Sequence, residues 1–484
     1  MWVPGLDGSG TSVAQPEAGN PDPHWQVDPA LVGLPVERFR WIASSGSTNG
    51  FPNNLGMASG HASQVGQALY GSTDGVAPGV AYIENYEAVY FVGLIQSGLP
   101  INPPLVNQSF AFGGQNQTID LNYDNYVNVH GTLFVSGVGN SGAPASPATM
   151  WNGIGVGAFG GASSFGPTSD GRCKPDLTAP GVLTSFATPQ VVGTAALLLQ
   201  AITNGVVPAG DAALAADWRT LKALLLNGAD KPAGWTNAVA YPLDARYGTG
   251  LLNVFRTYDQ LRGGRRLASA TNTFRVIDPV PIPSSNHVIT ARRGWNMAAI
   301  SHGPLESAVH SYLLDSSASG QAIVALVATL NWALPVGGTA ANNLDLVLAD
   351  ADTGAVLAES RSPKNNVEHL HVINLPAGRY LLQVLKLGGA LESVTRTETY
   401  ALAFEAQSAL TPGPRWADSA WEASVFRATL EGEPSETYAV ERAPDAVTWM
   451  PVTTHQMGAT GVFAFEDPTA SPAQSWIYRA RRLP

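Results

Sequence analysis

The sequence predicts an α/β domain, a parallel sheet set between helices, followed by a β-sandwich and a small all-β C-terminal module. Short apolar strand-like runs alternate with helical ones over roughly the first half of the chain. From about residue 270 helical periodicity gives way to period-two alternation, and 484 residues are too many for one ordinary hydrophobic core. The expected domains are residues 1–265, 270–410 and 415–484.

Leu133 to Val138 and Ile154 to Gly157 read as short buried strands. The stretch between Thr188 and Ile202 is apolar on nearly every side, the mark of a buried helix. Trp218 to Asn227 is a second helix, with Gly228 as its C′ residue. Such alternation implies a parallel sheet covered by helices. Later, Gln321 to Leu330 and Arg379 to Val384 alternate as strands, separated by turn signals at Asp352-Thr-Gly354 and Pro376-Ala-Gly378. Leu410 to Pro414 reads as a linker. The remaining residues are strand and turn in pattern.

Charged residues are scarce, at 13%, whereas Gly (51) and Pro (35) are abundant, as turn-rich β-heavy chains require. A net charge of −11 argues against a nucleic-acid partner. No apolar run reaches the roughly 20 residues that cross a bilayer, so no membrane partner is expected. Oligomeric state is not fixed by the sequence, and a monomer is the expectation. The single cysteine, Cys173, allows no intrachain disulfide. Trp2 to Asp7 lacks the basic and apolar regions of a signal peptide, so export would need a signal on a preceding portion.

Chemistry is concentrated in Lys174-Pro-Asp-Leu-Thr-Ala-Pro-Gly181, followed by Thr184-Ser-Phe-Ala-Thr-Pro189 and the buried helix. A serine in a first helical turn sits near free N–H groups and the positive helix end. The plain alternative is an N-cap hydroxyl. The string closely resembles the nucleophile motif of the subtilisin-like (S8) serine peptidases, which implies that Ser185 is the nucleophile. His61, in Gly60-His-Ala-Ser-Gln-Val-Gly66 with Gly75-Val-Ala-Pro-Gly79 downstream, is similar to that family's general-base segment. Asn140, in Ser136-Gly-Val-Gly-Asn-Ser-Gly142, resembles its oxyanion asparagine; the alternative is a turn residue after a strand. Leu105 to Gly113 is similar to the family's substrate-pairing strand. The resemblance therefore implies substrate contacts from Ser109, Phe110, Ala111, Ser136 and Gly137.

The resemblance frays at the third triad member. Where the family has an aspartate ending its first strand, this chain has Glu17, one methylene longer, preceded by Pro16. Proline donates nothing to a ladder, so the strand is expected to end at Ala14 or Gln15. Asp28 and Asp22 are rival carboxylates. Ala62 and Leu183 also replace family glycines, and only Val182 and Leu183 separate Gly181 from Thr184, a shortened loop.

Asn342 to Leu348, Asp352 to Gly354, Asn365 to Glu368 and Leu375 to Tyr380 are similar to the jelly-roll domain that follows some subtilisin-like catalytic domains. In such domains oxygen ligands often bind calcium, and Asp345, Asn365 and Glu368 are candidates; the plain alternative is that they satisfy turn backbone. Catalysis itself calls for no cofactor. Residues 415–484 resemble a small β module of exported bacterial proteins, whose aromatics are expected to be core. These readings imply an exported serine endopeptidase acting on polypeptides. The rivals are a catalytically impaired relative serving as a binding or structural module, and an esterase.

Overall fold

The computed structural model describes residues 5–19, 21–283, 287–317, 322–388, 395–408, 415–422, 425–433, 436–443, 449–458, 460–470 and 476–483. The expected linker at 410–414 lies outside them, as do residues 2–4 of the N-terminal segment and Gln321.

Strands β1 (Ser12–Glu17), β3 (Phe39–Ala43), β4 (Gly46–Thr48), β6 (Tyr82–Glu87), β7 (Leu105–Gln108), β8 (Leu133–Gly137), β9 (Ile154–Phe159) and β12 (Leu177–Pro180) form one sheet in the order β12-β9-β8-β7-β1-β6-β3-β4. Every pairing is parallel except the β3–β4 hairpin. The short pairs β2 (His24–Gln26) with β5 (Met57–Ala58) and β10 (Gly166–Pro167) with β11 (Cys173–Lys174) stand apart from it. Helices α1 (Pro29–Val32), α2 (Gly60–Tyr70), α3 (Ala88–Gln96), α4 (Gln117–His130), α5 (Thr184–Thr203), α6 (Ala212–Ala215), α7 (Trp218–Asn227) and α8 (Val254–Arg262) fill the connections. A parallel sheet needs such crossovers, and its ligand crevice lies outside the C-terminal strand ends.

Two local expectations change. Strand β1 runs through Pro16 to Glu17, paired with β6 as far as Glu17↔Glu87. Its pairing with β7 covers only Val13 and Ala14, so at Pro16 the other flank makes no ladder that a missing N–H could break. Gly228 follows α7 with φ −71°, an ordinary helical value, rather than in the left-handed region. Its lack of a side chain serves close packing instead, since a Cβ there would lie 2.4 Å from Thr257 Oγ1.

Helix α5 is long and apolar enough to cross a membrane, yet it is mostly buried inside the protein. Beside it the Lys-Pro-Asp segment does structural work. Asp176 is buried, pairs with Lys174, and accepts from the Gly155 N–H at 2.6 Å. Buried Lys222 of α7 donates to the Trp151 and Gly153 carbonyls at 2.9 and 2.8 Å, and stands 3.8 Å from Asp176. Charges this deep persist because each has partners.

The chain divides into two compact units. Met1–Leu314, Val327–His371 and Tyr380–Glu405 form one; Asp315–Leu326, Val372–Arg379 and Ala406–Pro484 form the other. After α8 the chain builds a β-sandwich. One sheet has the order β13-β15-β20-β17-β18, from Ala270–Arg275, Glu306–Asp315, Arg379–Lys386, Leu344–Asp350 and Val356–Ser360. The other has the order β14-β21-β16-β19, from Arg293–Ser301, Thr397–Ser408, Ile323–Trp332 and Val367–Leu375. Within the first unit the core is continuous: Trp295, Ala333, Val367, Ala401 and Ala403 of the sandwich share it with Leu261 and the residues around the eight-stranded sheet. Asn152 and Leu334 exchange hydrogen bonds (2.8 and 3.1 Å), and Arg256 pairs with both Asp230 and Glu405.

In the second unit, β22 (Arg415–Glu422), β23 (Val425–Glu431) and β26 (Val462–Asp467) form one three-stranded sheet; β25 (Met450–Gln456), β24 (Thr437–Ala443) and β27 (Ile477–Arg482) form another. Tyr438 and Phe465 are buried there with Leu430 and Val440, so these aromatics are core, as the sequence suggested.

Candidate active site

Glu17 ends β1 at the crevice and is almost fully buried, at 1% exposure. Its Oε2 lies 3.1 Å from His61 Nδ1. His61 occupies the first turn of α2, which Ser59 caps by accepting from the Ala62 N–H at 3.2 Å. With Nδ1–H donating to the carboxylate, Nε2 carries the lone pair of a neutral imidazole. The hydrogen bond to Glu17 raises the His61 pKa above its ordinary 6.5; burial opposes this, and Glu17's charge adds to it. Asp28 is elsewhere engaged, capping α1 through the Ala30 N–H at 2.9 Å. Asp22 is exposed, and among the described residues the carboxylate paired with His61 is that of Glu17. Of the three candidate carboxylates, Glu17 is the one that meets the imidazole.

Glu17 is itself held. Its Oε1 accepts from Gln15 Nε2 at 2.8 Å, and the same nitrogen donates to the Ala62 carbonyl at 2.9 Å. Gln15 Oε1 accepts from the Tyr70 hydroxyl at 2.5 Å. Sequence reading missed both residues. The period-two rule offered a hint for Gln15, which shares a strand face with Glu17; nothing in the sequence pointed to Tyr70.

The serine side is built on the end of α5. Helices α1, α2, α3, α4, α7 and α8 each open on a side chain that accepts from the first turn. Helix α5 opens on Leu183 and has no such cap. Ser185 is therefore the second helical residue, not an N-cap, and its N–H points out of a positive helix end. Asn140 Oδ1 accepts from the Thr184 N–H and hydroxyl at 2.9 and 3.0 Å, which leaves the amide NH2 as a free donor at the surface. Gly139 precedes it with φ +102°, where a Cβ would meet Ser164 Oγ at 2.8 Å. Gly137 lets α5 approach, because a Cβ there would stand 2.9 Å from Thr184 Oγ1.

Among the described residues the Ser185 hydroxyl donates to the Ser109 carbonyl at 3.2 Å rather than to His61. The His61 ring faces Phe186, the next residue, at 5.9 Å between centroids. Pro189 lies inside α5 and has no N–H for the Ser185 carbonyl four residues earlier. The Ser109 hydroxyl replaces that bond at 2.9 Å.

The residues expected to contact substrate separate into two groups. Ala111 is exposed and Phe110 partly so, just beyond β7. Ser109, Ser136 and Gly137 are buried, and the Ser136 hydroxyl donates to Gln108 Oε1 at 2.8 Å. The shortened connection leaves Val182 at the surface, 69% exposed.

Residues 53–250 match the family described as Peptidase_S8, the subtilase family. The matched segment spans His61, Asn140 and Ser185; Glu17 precedes it. No protein of curated function matches the chain. Among solved structures, a protease of Pseudoalteromonas arctica is 18% identical with a TM-score of 0.37, covering 52% of this chain and 91% of that one. The PatG macrocyclase domain is 15% identical with a TM-score of 0.38, covering 52% and 90%. An Aeromonas sobria serine protease, solved with its chaperone, is 12% identical with a TM-score of 0.37, covering 98% and 88%. At such scores these likenesses add nothing to the family match.

The suggested calcium ligands do not form an oxygen cage. Asp345 pairs with the Arg361 guanidinium at 2.6 Å, and burial still raises its carboxyl pKa. Glu368 is fully buried, bonded to the Ser360 hydroxyl and the Ser362 N–H, and burial pushes its pKa well up. Asn365 Oδ1 accepts from the Cys173 N–H at 2.8 Å. A cation would have to displace an arginine and bind a carboxyl that favours its proton. No group of three or more His, Cys, Asp or Glu suited to a metal occurs among the described residues.

Proposed function

We propose that the protein is an exported serine endopeptidase that cleaves polypeptides through an acyl-enzyme. The observation that carries this reading is the Glu17–His61 contact at 3.1 Å. It lies beside an uncapped helix end that presents Ser185 and a free Asn140 amide. On substrate binding the Ser185 hydroxyl turns from the Ser109 carbonyl to His61 Nε2, which takes its proton as Oγ attacks the scissile carbonyl. The oxyanion is met by Asn140 Nδ2–H and the Ser185 N–H. His61 then protonates the leaving amine, and water, activated by the same imidazole, releases the acyl group. Glu17 keeps the imidazole in the required tautomer. Exposed Ala111 and Val182 suit an extended chain passing through the cleft.

In this reading the peptidase domain is residues 1–265, a jelly-roll sandwich spans 270–410, and 415–484 is an accessory module; catalysis needs no metal.

One observation favours a second reading, a chain that kept the fold without turnover: the Ser185 hydroxyl is bonded to a carbonyl instead of the imidazole. Contacts of this kind commonly tighten only in the substrate complex. A fluorophosphonate probe decides between the two. Labelling that disappears in Ser185→Ala, together with casein hydrolysis, supports the peptidase; folded protein that neither labels nor cleaves supports the second reading. Cleavage of small esters with casein left intact would indicate an esterase.

A further inference from the structure

We propose that Gln15 and Tyr70 are positioning residues that let a glutamate serve where a shorter carboxylate would stand, by tying Glu17 to the helix that carries His61. The inference rests on the reading of His61 as the base.

A glutamate has one more rotatable bond than an aspartate, so a carboxylate at its tip must be restrained if it is to orient a ring. Gln15 supplies the restraint with both amide protons. One goes to Glu17 Oε1 at 2.8 Å, and the other to the carbonyl of Ala62, the residue after His61, at 2.9 Å. The strand bearing the carboxylate and the helix bearing the imidazole are thereby locked through a single nitrogen. The amide could defeat this by flipping, which would set its oxygen against the carboxylate. Tyr70, the last residue of α2, prevents the flip by donating to Gln15 Oε1 at 2.5 Å. Burial, with Glu17's charge adding to it, holds the Tyr70 phenol protonated, so it remains a donor.

A Cβ at Gly66 would lie 2.8 Å from the Tyr70 hydroxyl and 2.9 Å from its ring, so the glycine makes room for the phenol. Phe39 packs edge-on against that ring at 5.9 Å. Gln15 and Tyr70 are fully buried and Glu17 nearly so; water is poorly placed to replace a lost donor.

The test combines Gln15→Leu, Tyr70→Phe and Glu17→Ala with the Gln15→Leu/Glu17→Ala double variant. Readouts are kcat and KM on a peptide anilide, the acid limb of the pH profile, melting temperature, and the proton NMR signal of His61 Nδ1–H. In Gln15→Leu, kcat should fall about 10- to 100-fold, the size of a buried bond to a charged group, while KM stays within about twofold. Charge then concentrates on Oε2, so the acid limb should move to higher pH. Tyr70→Phe should act in the same direction and more weakly. In the Glu17→Ala background Gln15→Leu should cost less than about twofold, because its effect passes through the carboxylate.

A Gln15→Leu variant with unchanged kcat and acid limb overturns the proposal. An equal loss in the Glu17→Ala background does so too, since it marks a purely structural role. The Nδ1–H signal works without turnover. If the wild type neither labels nor cleaves but Gln15→Leu broadens that signal, the positioning stands and the peptidase reading falls. A signal unchanged by Gln15→Leu sinks the positioning whatever the activity.

Discussion

The imidazole side of the cleft and the hydroxyl side are held in place by different means. On the imidazole side, buried side chains hold one another: Tyr70 holds Gln15, Gln15 holds Glu17, and Glu17 holds His61. On the hydroxyl side the support is mostly main chain: a helix end with no side-chain bond from its own N-cap residue and a carbonyl freed by Pro189, joined by the Asn140 side chain, which Thr184 steadies. The first arrangement is assembled without substrate. In the second, the proposed mechanism requires the Ser185 hydroxyl to turn from the Ser109 carbonyl. Under the proposed mechanism the contrast teaches that the base needs a rigid support because it must keep one tautomer, whereas the nucleophile needs only a short swing from one acceptor to another.

The largest expected effect tests the rigid side. Glu17→Ala should lower kcat by about ten-thousand-fold, the scale seen when a triad carboxylate is disabled elsewhere; steady-state kinetics on a peptide anilide would measure it. The same side sets the pH response. The proposed mechanism needs neutral His61, so activity should fail as pH falls through its pKa; because Glu17 raises that pKa, the wild-type acid limb should lie above 6.5. Glu17→Gln should move it downward. A limb that stays put would mean that the carboxylate does not govern the ring.

A smaller effect is expected on the hydroxyl side. Asn140→Ala should cost about 100- to 1000-fold in kcat with KM little altered, as loss of one oxyanion donor does. A rise in KM alone would show that the amide binds the ground state instead.

Smallest is Ser109→Ala. It removes the donor that replaces the missing Pro189 N–H and leaves the Ser185 carbonyl unsatisfied. Urea unfolding should detect a loss of about 1 to 3 kcal/mol. No change would mean that the helix end does not depend on that bond.

The same contrast explains what could be read from the sequence. Ser185, His61 and Asn140 lie in compact local strings, each fixed by neighbours within a few residues, so their surroundings are written beside them. Glu17 was legible as a candidate, but the strand through Pro16 was not, because the missing ladder bond matters only where β7 pairs, and that pairing ends at Ala14. Tyr70 lies 55 residues from Gln15, and only the folded sheet brings them together. Asn365, a cation-ligand candidate by sequence, accepts from the Cys173 N–H across 192 residues, a partnership that no local pattern announces. The parallel sheet, the buried helix and the change to β structure near residue 270 were all visible, since periodicity is a local property.

Trp295 lies in the core that the sandwich shares with the eight-stranded sheet. Its indole N–H donates to the Leu261 carbonyl at 3.2 Å, and the ring is sealed among residues from both the sandwich and the last helix before it. Cutting the chain just after that helix would strip an apolar face bare. The resulting fragment should clump rather than work as a minimal enzyme, so the sandwich is a wall of the building and not a detachable annex.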